Sequence, residues 1–259
     1  TIHGLAYEYL QEFYKYPKKL YLNKSTEYAV KHADRLIAVS RWTKTQLVNR
    51  LGADPEKITV IHEGVGQRIL ASKIYHLTSD YRRQIRHKYS LPQNYILFVG
   101  TIQPRKNLVR LIEAFSMISP SRWGELSPRR CELHLVLAGK HGWMYDEILA
   151  AAKKNPRVHL VGRVAEADLA AVYKLAQVFV WPSLMEGFGL PVLEAMTLGV
   201  PVICSNRGAL PEVAGKAALM VDPEDTAGIA GAIQLVSTNS ELREGLIEAG
   251  FRQAARFSW

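Results

Sequence analysis

Six short apolar runs separated by helix-length stretches constrain this chain more than any other feature. They are Tyr95 to Val99, Leu133 to Leu137, Val158 to Val161, Val178 to Val180, Val202 to Cys204 and Ala218 to Val221. Gly100, Gly139, Gly162, Pro182 and Ser205 stand at or just beyond the ends of five of them. Between the runs, apolar residues recur at helical spacing, as in Leu108, Leu111, Ile112, Phe115 and Ile118. Continuous apolar strands alternating with helices predict an α/β fold with a parallel sheet covered on both faces. The ligand crevice of such a sheet lies beyond the carboxyl ends of its strands, so the five tip residues should share one rim.

The first half carries less of the same pattern. A helix is expected near Lys18 to His32, then a strand from Arg35 to Val39. Ser40 suits the cap of a following helix that stops at Gly52, and Ile58 to Ile61 is a second strand. Two strands do not make an independent parallel sheet, and Thr1-Ile2-His3 has the look of a further strand's tail. Residues 1–65 are therefore expected to belong to one domain, 66–92 to a helical connection and 93–259 to a second domain. The composition, 48% hydrophobic and 22% charged, is that of a soluble globular protein, and no apolar run is long enough to span a bilayer.

Within the second domain, EGFGLPVLE from Glu186 to Glu194 sets two carboxylates eight positions apart across a strand, glycine loop and helix. Pro191 suits the first helical turn and Gly199 its stop. The helix N-terminus offers free N–H groups and a positive dipole end to an anion. Glu186 is expected to accept from sugar hydroxyls, with the N–H groups of Phe188 and Gly189 near the same sugar and that of Leu190 near a phosphate. Gly187 and Gly189 imply close backbone approach to something. Glu194, placed in the first helical turn, reads equally as a dipole partner and as an acceptor for ribose hydroxyls.

A second strand-loop-helix junction, VGTIQPRKN from Val99 to Asn107, brings Arg105 and Lys106 to the same rim, just before a helix that Asn107 is expected to cap. The pair can neutralise a diphosphate leaving group, although alone it reads as two solvated cations. His3 ends a strand and is followed by a glycine. Glu212 reads as a helix-start acid, and His32, His62, His87, His134, His141 and His159 have no metal-ligand spacing. Cys131 and Cys204 are far apart, which favours buried thiols in a reducing compartment over a disulfide. The net charge of +9 fits either a basic solvated surface or affinity for anions. Basic residues and tyrosines interleave between Tyr7 and Lys24, as on a surface that rests on anionic lipid. No nucleic-acid motif appears, and no nucleic-acid partner is expected.

Taken together, these strings resemble the family-4 retaining glycosyltransferases, whose fold is GT-B with two Rossmann-like domains. The resemblance includes TIHG at 1–4, ADRLIAVS at 33–40, KITVIHEGV at 57–65, VGTIQPRKN at 99–107, PSLMEGFGLPVLEAM at 182–196, GVPVI at 199–203 and FSW at 257–259. The PRKN version is most similar to bacterial mannosyl- or rhamnosyltransferases of polysaccharide assembly. The resemblance implies transfer of a sugar from a GDP- or UDP-sugar to a saccharide or lipid-linked saccharide hydroxyl, without a metal. It implies a cytoplasmic protein, peripheral on the inner face of the membrane. Glu186 would contact the donor sugar, Glu194 the ribose, and Lys106 the diphosphate. His3 would lie near the donor sugar, and Arg163-Val164 would cup the base. Gly100 would be followed by an arginine in many members; Thr101 stands there instead, so Arg105 would supply the second cation. The family also carries further strands before TIHG and a crossing helix after FSW, which makes this chain resemble a fragment holding the donor half. The same fold also serves epimerases and phosphorylases, and a fragment can bind nucleotide without catalysis. A nicotinamide-dependent oxidoreductase lacks support, because no G-x-G-x-x-G follows a strand.

Overall fold

The computed structural model describes residues 1–14, 16–74, 77–118 and 132–259. Cys131 lies outside them. Two parallel sheets form. The small one joins β1 (Leu36–Ala38) to β2 (Ile58–Val60) in the register Leu36–Ile58 to Ala38–Val60. Ile2 runs beside β1, its N–H donating to the Ile37 carbonyl at 2.8 Å, so TIHG does continue this sheet. Between Ile2 and β1 come a single turn α1 (Ala6–Tyr9) and α2 (Lys18–His32). Between the strands lies α3 (Arg41–Leu51), where the Ser40 hydroxyl accepts from the Thr43 N–H at 3.0 Å and Gly52 closes the helix at φ +62°. Leu5, Tyr7, Leu36, Ala38, Leu47, Ala53 and Ile58 pack as a separate small core. Helices α4 (Gln67–Ile74) and α5 (Ser79–Lys88) follow.

The large sheet contains β3 (Asn94–Val99), β4 (Leu133–Ala138), β5 (Val158–Gly162), β6 (Val178–Trp181), β7 (Val202–Ser205) and β8 (Ala218–Val221). Its spatial order is β5-β4-β3-β6-β7-β8, with every pairing parallel. Helices α6 (Leu108–Ser116), α7 (Asp146–Lys153), α8 (Glu166–Lys174), α9 (Leu190–Thr197), α10 (Leu210–Ala214), α11 (Thr226–Thr238) and α12 (Ser240–Ala254) connect and cover it. Tyr95 to Phe98 and Val178 to Val180 are fully buried, because strands covered on both faces need apolar residues at every position. Each such side chain contributes roughly 1.5–3 kcal/mol by leaving water. The order reverses between β3 and β6, and that reversal point is where an open α/β sheet forms its crevice. The loops carrying Lys106 and Glu186 leave from these two strands. Beside them the rim continues in hydrogen bonds from Gly100 N–H to the Ala138 carbonyl and from Gly139 N–H to the Gly162 carbonyl, both 2.8 Å.

The N-terminus of α3 locks the two sheets together. The Ser40 and Thr43 hydroxyls donate to the Gly187 carbonyl at 2.7 and 3.2 Å. Glu212, in the first turn of α10, accepts from the Arg41 and Trp42 N–H groups at 3.1 and 3.2 Å and lies 2.7 Å from His62 Nε2. Glu212 is thus a helix-start acid that serves a second helix across the cleft, a role its local sequence does not show. It satisfies N–H groups that have no intrahelical partner and places a negative charge at the positive dipole end. Glu212→Ala should cost about 1–3 kcal/mol, the range for stranding such donors. Amide exchange at Arg41 and Trp42 should accelerate with it; unchanged exchange there would remove the cross-helix cap.

Candidate active site

The cleft is built around Glu186, only 7% exposed. Its Oε2 accepts from Arg105 Nη1 at 2.8 Å, and its Oε1 accepts from Lys106 Nζ at 2.5 Å and from the Ser183 hydroxyl at 2.6 Å. Lys106 and Arg105 sit on a single 3-10 turn, Pro104–Lys106, after β3. They are therefore not solvated loop cations. The Lys106 ammonium also lies 4.1 Å from the centroid of the Trp181 indole, a cation–π contact. Burial works against ionisation of Glu186, but Lys106 and Arg105 outweigh it and hold the carboxyl at about 2. Burial draws Lys106 down to about 8, with Glu186 opposing the fall and Arg105 adding to it. The cluster is ionised at neutral pH with one net positive charge.

Spare hydrogen-bonding capacity remains. Arg105 Nη1 also donates to the Met185 carbonyl at 2.6 Å, while its Nε is buried without a partner among the described residues. A lysine ammonium has three protons to give.

The glycines signal close approach, but to the chain itself. A Cβ on Gly187 would stand 1.8 Å from the His3 carbonyl oxygen. Gly189, at φ +119°, would press a Cβ to 2.7 Å from Leu210, and Gly100 leaves room for the Trp181 ring at 3.0 Å. His3 thus meets the Glu186 loop through its backbone. Its imidazole, 71% exposed, places Nδ1 2.8 Å from Glu63 Oε1. A cavity of about 420 Å³ opens at this junction, lined among others by His3, Tyr7, Tyr14, Arg105, Glu186 and Gly187. Tyr14 leans on Trp143 with ring centroids 5.9 Å apart, and Trp143 Nε1 donates to the Phe13 carbonyl at 2.5 Å. A strap before α2 therefore reaches the loop after β4. The sequence reading missed this strap, Ser183 and Trp181; aromatic and hydroxyl side chains carry no spacing signal of their own.

Two expectations, for Glu194 and Asn107, need correction. Glu194 is the fifth residue of α9, in its second turn, and Oε2 accepts from the Tyr173 hydroxyl at 2.9 Å. Burial raises its pKa, with Tyr173 opposing the rise. Asn107 does not cap α6 through its side chain. At φ +60° it turns the chain, and Nδ2 donates to the Pro182 carbonyl at 3.1 Å and the Pro223 carbonyl at 2.6 Å. The Asp222–Asp225 stretch, remote in sequence, is consequently beside the Lys106 turn, although Asp222 and Glu224 are engaged by Arg207. Thr101 precedes Ile102, whose backbone pairs with the segment Lys140–Gly142. Phe188 is buried against His62 and Phe257, facing the interior rather than the cleft. Leu190 opens α9. Arg163 and Val164 follow edge strand β5, two strands from β3 and so about 10 Å along the rim from Gly100. They share the rim without approaching Glu186. Cys204 is a buried free thiol, pushed up to about 12 by burial.

Comparison with known proteins gives the family and the fold. Residues 82–253 match the family described as glycosyl transferases group 1, and residues 1–66 match glycosyltransferase family 4. The chain belongs to the group 1 glycosyl transferases, and its fold is GT-B. It is 31% identical over 264 residues to the O-antigen chain mannosyltransferase B of Escherichia coli, spanning all of this chain and 66% of that relative. It is 30% identical to the serotype-specific mannosyltransferase WbdA of the same organism, over 93% of this chain and 29% of WbdA. Among solved structures, sucrose-phosphate synthase from Thermosynechococcus elongatus superposes with a TM-score of 0.76 at 25% identity, covering 98% of this chain and 61% of that one. Anabaena HepE in complex with UDP-glucose gives 0.76 at 18% identity, covering 92% and 63%.

The Glu186 carboxyl has a folded-state pKa below its ordinary value of 4.5, so its stabilisation is present above about 4.5 and lost as pH falls towards about 2. Glu186→Gln should destabilise the chain by about 3 kcal/mol at neutral pH, the cost of stranding buried cations. Urea unfolding of both proteins should show this gap narrowing across the acid window. A gap independent of pH would mean the carboxylate is not what the cations need.

Proposed function

We propose that the protein of which this chain is part transfers a hexose from a nucleoside-diphosphate sugar to a hydroxyl of a saccharide or lipid-linked saccharide, in polysaccharide assembly. The observation that carries the reading is the buried Lys106–Glu186–Arg105 cluster at the sheet's reversal point, beside a cavity that His3 also lines. The mannosyltransferase relatives favour mannose as the sugar, and the UDP-glucose bound to HepE favours a nucleoside diphosphate, GDP or UDP, as its carrier.

In this proposal the diphosphate lies over the 3-10 turn, against Lys106, Arg105 and the Gly189 and Leu190 N–H groups at the start of α9. As the bond from C1 to the phosphate oxygen breaks, charge grows on the diphosphate. Preorganised cations in a partly dry cleft stabilise that charge more than water does, and a bound metal is not required. Glu186, held ionised, accepts from donor-sugar hydroxyls and keeps both cations aimed. His3 lines the same cavity. Glu194 takes the ribose hydroxyls and Arg163-Val164 the base, which suits their places along the rim. Retention of anomeric configuration follows if the acceptor enters on the face the diphosphate leaves, its proton passing to the departing phosphate. Lys106→Ala and Glu194→Ala should each lower sugar transfer at least about a hundredfold, the scale of losing one transition-state donor. Near-normal turnover in both would defeat the assignment.

Peripheral contact with an anionic membrane also belongs to this proposal. No helix among the described residues is long and apolar enough to cross a membrane. Tyr16, Tyr21 and Tyr28 are 79%, 72% and 66% exposed on and before α2, interleaved with exposed Lys24 and Lys31. Amphipathic rings beside cations suit a headgroup layer. Replacing Tyr21 and Tyr28 by Ala should lower co-sedimentation with phosphatidylglycerol vesicles several-fold; equal sedimentation would exclude this face.

A further inference from the structure

The two carboxylates at the ends of EGFGLPVLE are each held by a hydroxyl, but from different places. Ser183, three residues before Glu186, donates to its Oε1 at 2.6 Å. Tyr173, 21 residues before Glu194 and on another helix, donates to its Oε2 at 2.9 Å. Tyr173 is the penultimate residue of α8 and is fully buried. Its ring packs on Phe179 of β6 with centroids 5.3 Å apart, Phe179 stacks on Trp181 at 5.9 Å, and the Lys106 ammonium sits over Trp181. The core therefore fixes this hydroxyl, in one aromatic row with a cation of the proposed diphosphate seat.

Satisfying a buried phenol is the plain alternative, since a sealed hydroxyl ordinarily finds a partner. A neutral carbonyl does that without burying a charge: Tyr95, equally buried, donates to the Val172 carbonyl at 2.6 Å. Tyr173 meets a carboxylate instead, and that carboxylate is disfavoured by its surroundings. Burial raises the Glu194 pKa, and Tyr173 is the group that opposes the rise. Glu194 is half-buried, and its other oxygen, Oε1, meets solvent with no hydrogen bond among the described residues. A carboxylate with one oxygen fixed and the other open is a directed acceptor. It stands about 6 Å along α9 from Leu190, one turn beyond the N–H groups proposed to meet the diphosphate.

We propose that Tyr173 is a positioning residue for nucleotide recognition: its hydroxyl holds Glu194 Oε2 so that Oε1 is already aimed at the ribose hydroxyls of the nucleoside diphosphate. This rests on the assignment of Glu194 to the ribose under the proposed function. A free glutamate side chain has rotatable bonds to freeze when a ligand arrives; one already pinned loses less, and the difference appears as affinity for the ribose. Tyr173, sealed in the core, acts only through Glu194.

Titration calorimetry on the whole protein of which this chain is part, with GDP and UDP each against its 2′,3′-dideoxy form, tests it. The ratio of the two affinities reads the ribose hydroxyls and leaves phosphate binding out. The unsubstituted protein should bind the better of GDP and UDP at least about tenfold more tightly than its dideoxy form, the scale of a hydrogen bond to a charged group. Y173F, which keeps the ring on Phe179, and E194Q should each cut that ratio to about twofold or less while leaving the dideoxy affinity in place; general loosening would lower both affinities together. Y173F with the full ratio, where E194Q loses it, would overturn the positioning role and leave the ribose assignment standing. No ratio in the unsubstituted protein, or a full ratio in E194Q, would remove the ribose assignment and this inference with it. A crystal structure of the unsubstituted protein with the same nucleotide reads the contact without any substitution. It should show the ribose on Oε1 with Oε2 still on Tyr173; a Glu194 that leaves Tyr173 to meet the ribose would overturn the positioning role.

Discussion

A carboxylate buried between two cations holds this cleft in shape. Glu186 arrives from β6, and Arg105 and Lys106 from β3, so their contacts tie together the two loops that flank the reversal of strand order. Taking an ion pair out of water is costly, and a well-packed apolar substitute is often as stable or better. Stability alone therefore does not account for the cluster. What it provides is a pair of oriented cations with one unit of charge left over, and an Arg105 Nε without a partner among the described residues.

The same loop depends on the first half of the chain. Gly187 passes so close to the His3 backbone that no other residue fits, and its carbonyl is taken by Ser40 and Thr43 at the start of α3. Glu212 then grips the N–H groups of that helix start from the other side. Glu186 is thus flanked by two contacts that cross between the sheets, and the Gly208–Ala209 backbone supports it from behind through the Ala209 N–H to Glu186 carbonyl bond of 3.0 Å. A change in the relative placement of the two sheets would be felt first at Gly187, one residue from the carboxylate.

Local periodicity made much of this legible. The six apolar runs are the six strands, the Lys18–His32 helix has those ends, and the Ser40 cap and Gly52 stop are where their chemistry places them. Meeting on one rim also follows, because parallel strands align their carboxyl ends. The partners of special residues were not legible. Gly187 and Gly189 announce close approach in the sequence, but what approaches them lies far away in the chain, at His3 and Leu210. Glu212 reads as an acid of its own short helix, because the helix it caps begins 171 residues earlier. Glu194 was misplaced by one turn, since Pro191 takes the second position of α9 and Leu190 the first. Asn107 looked like a cap and is instead a left-handed corner whose amide pins two other loops.

The distribution of basic charge shows why composition was ambiguous. A net +9 says nothing about where potential accumulates. In the cleft beside Glu186 the two cations have a carboxylate between them, so their field is partly spent and is oriented by geometry. Arg207 instead meets Asp222 and Glu224 at 3.1 and 3.2 Å with all three side chains reaching solvent. Salt screens such exposed groups far more than a buried pair, so the two kinds of basic residue differ in strength although each adds the same unit to the net charge.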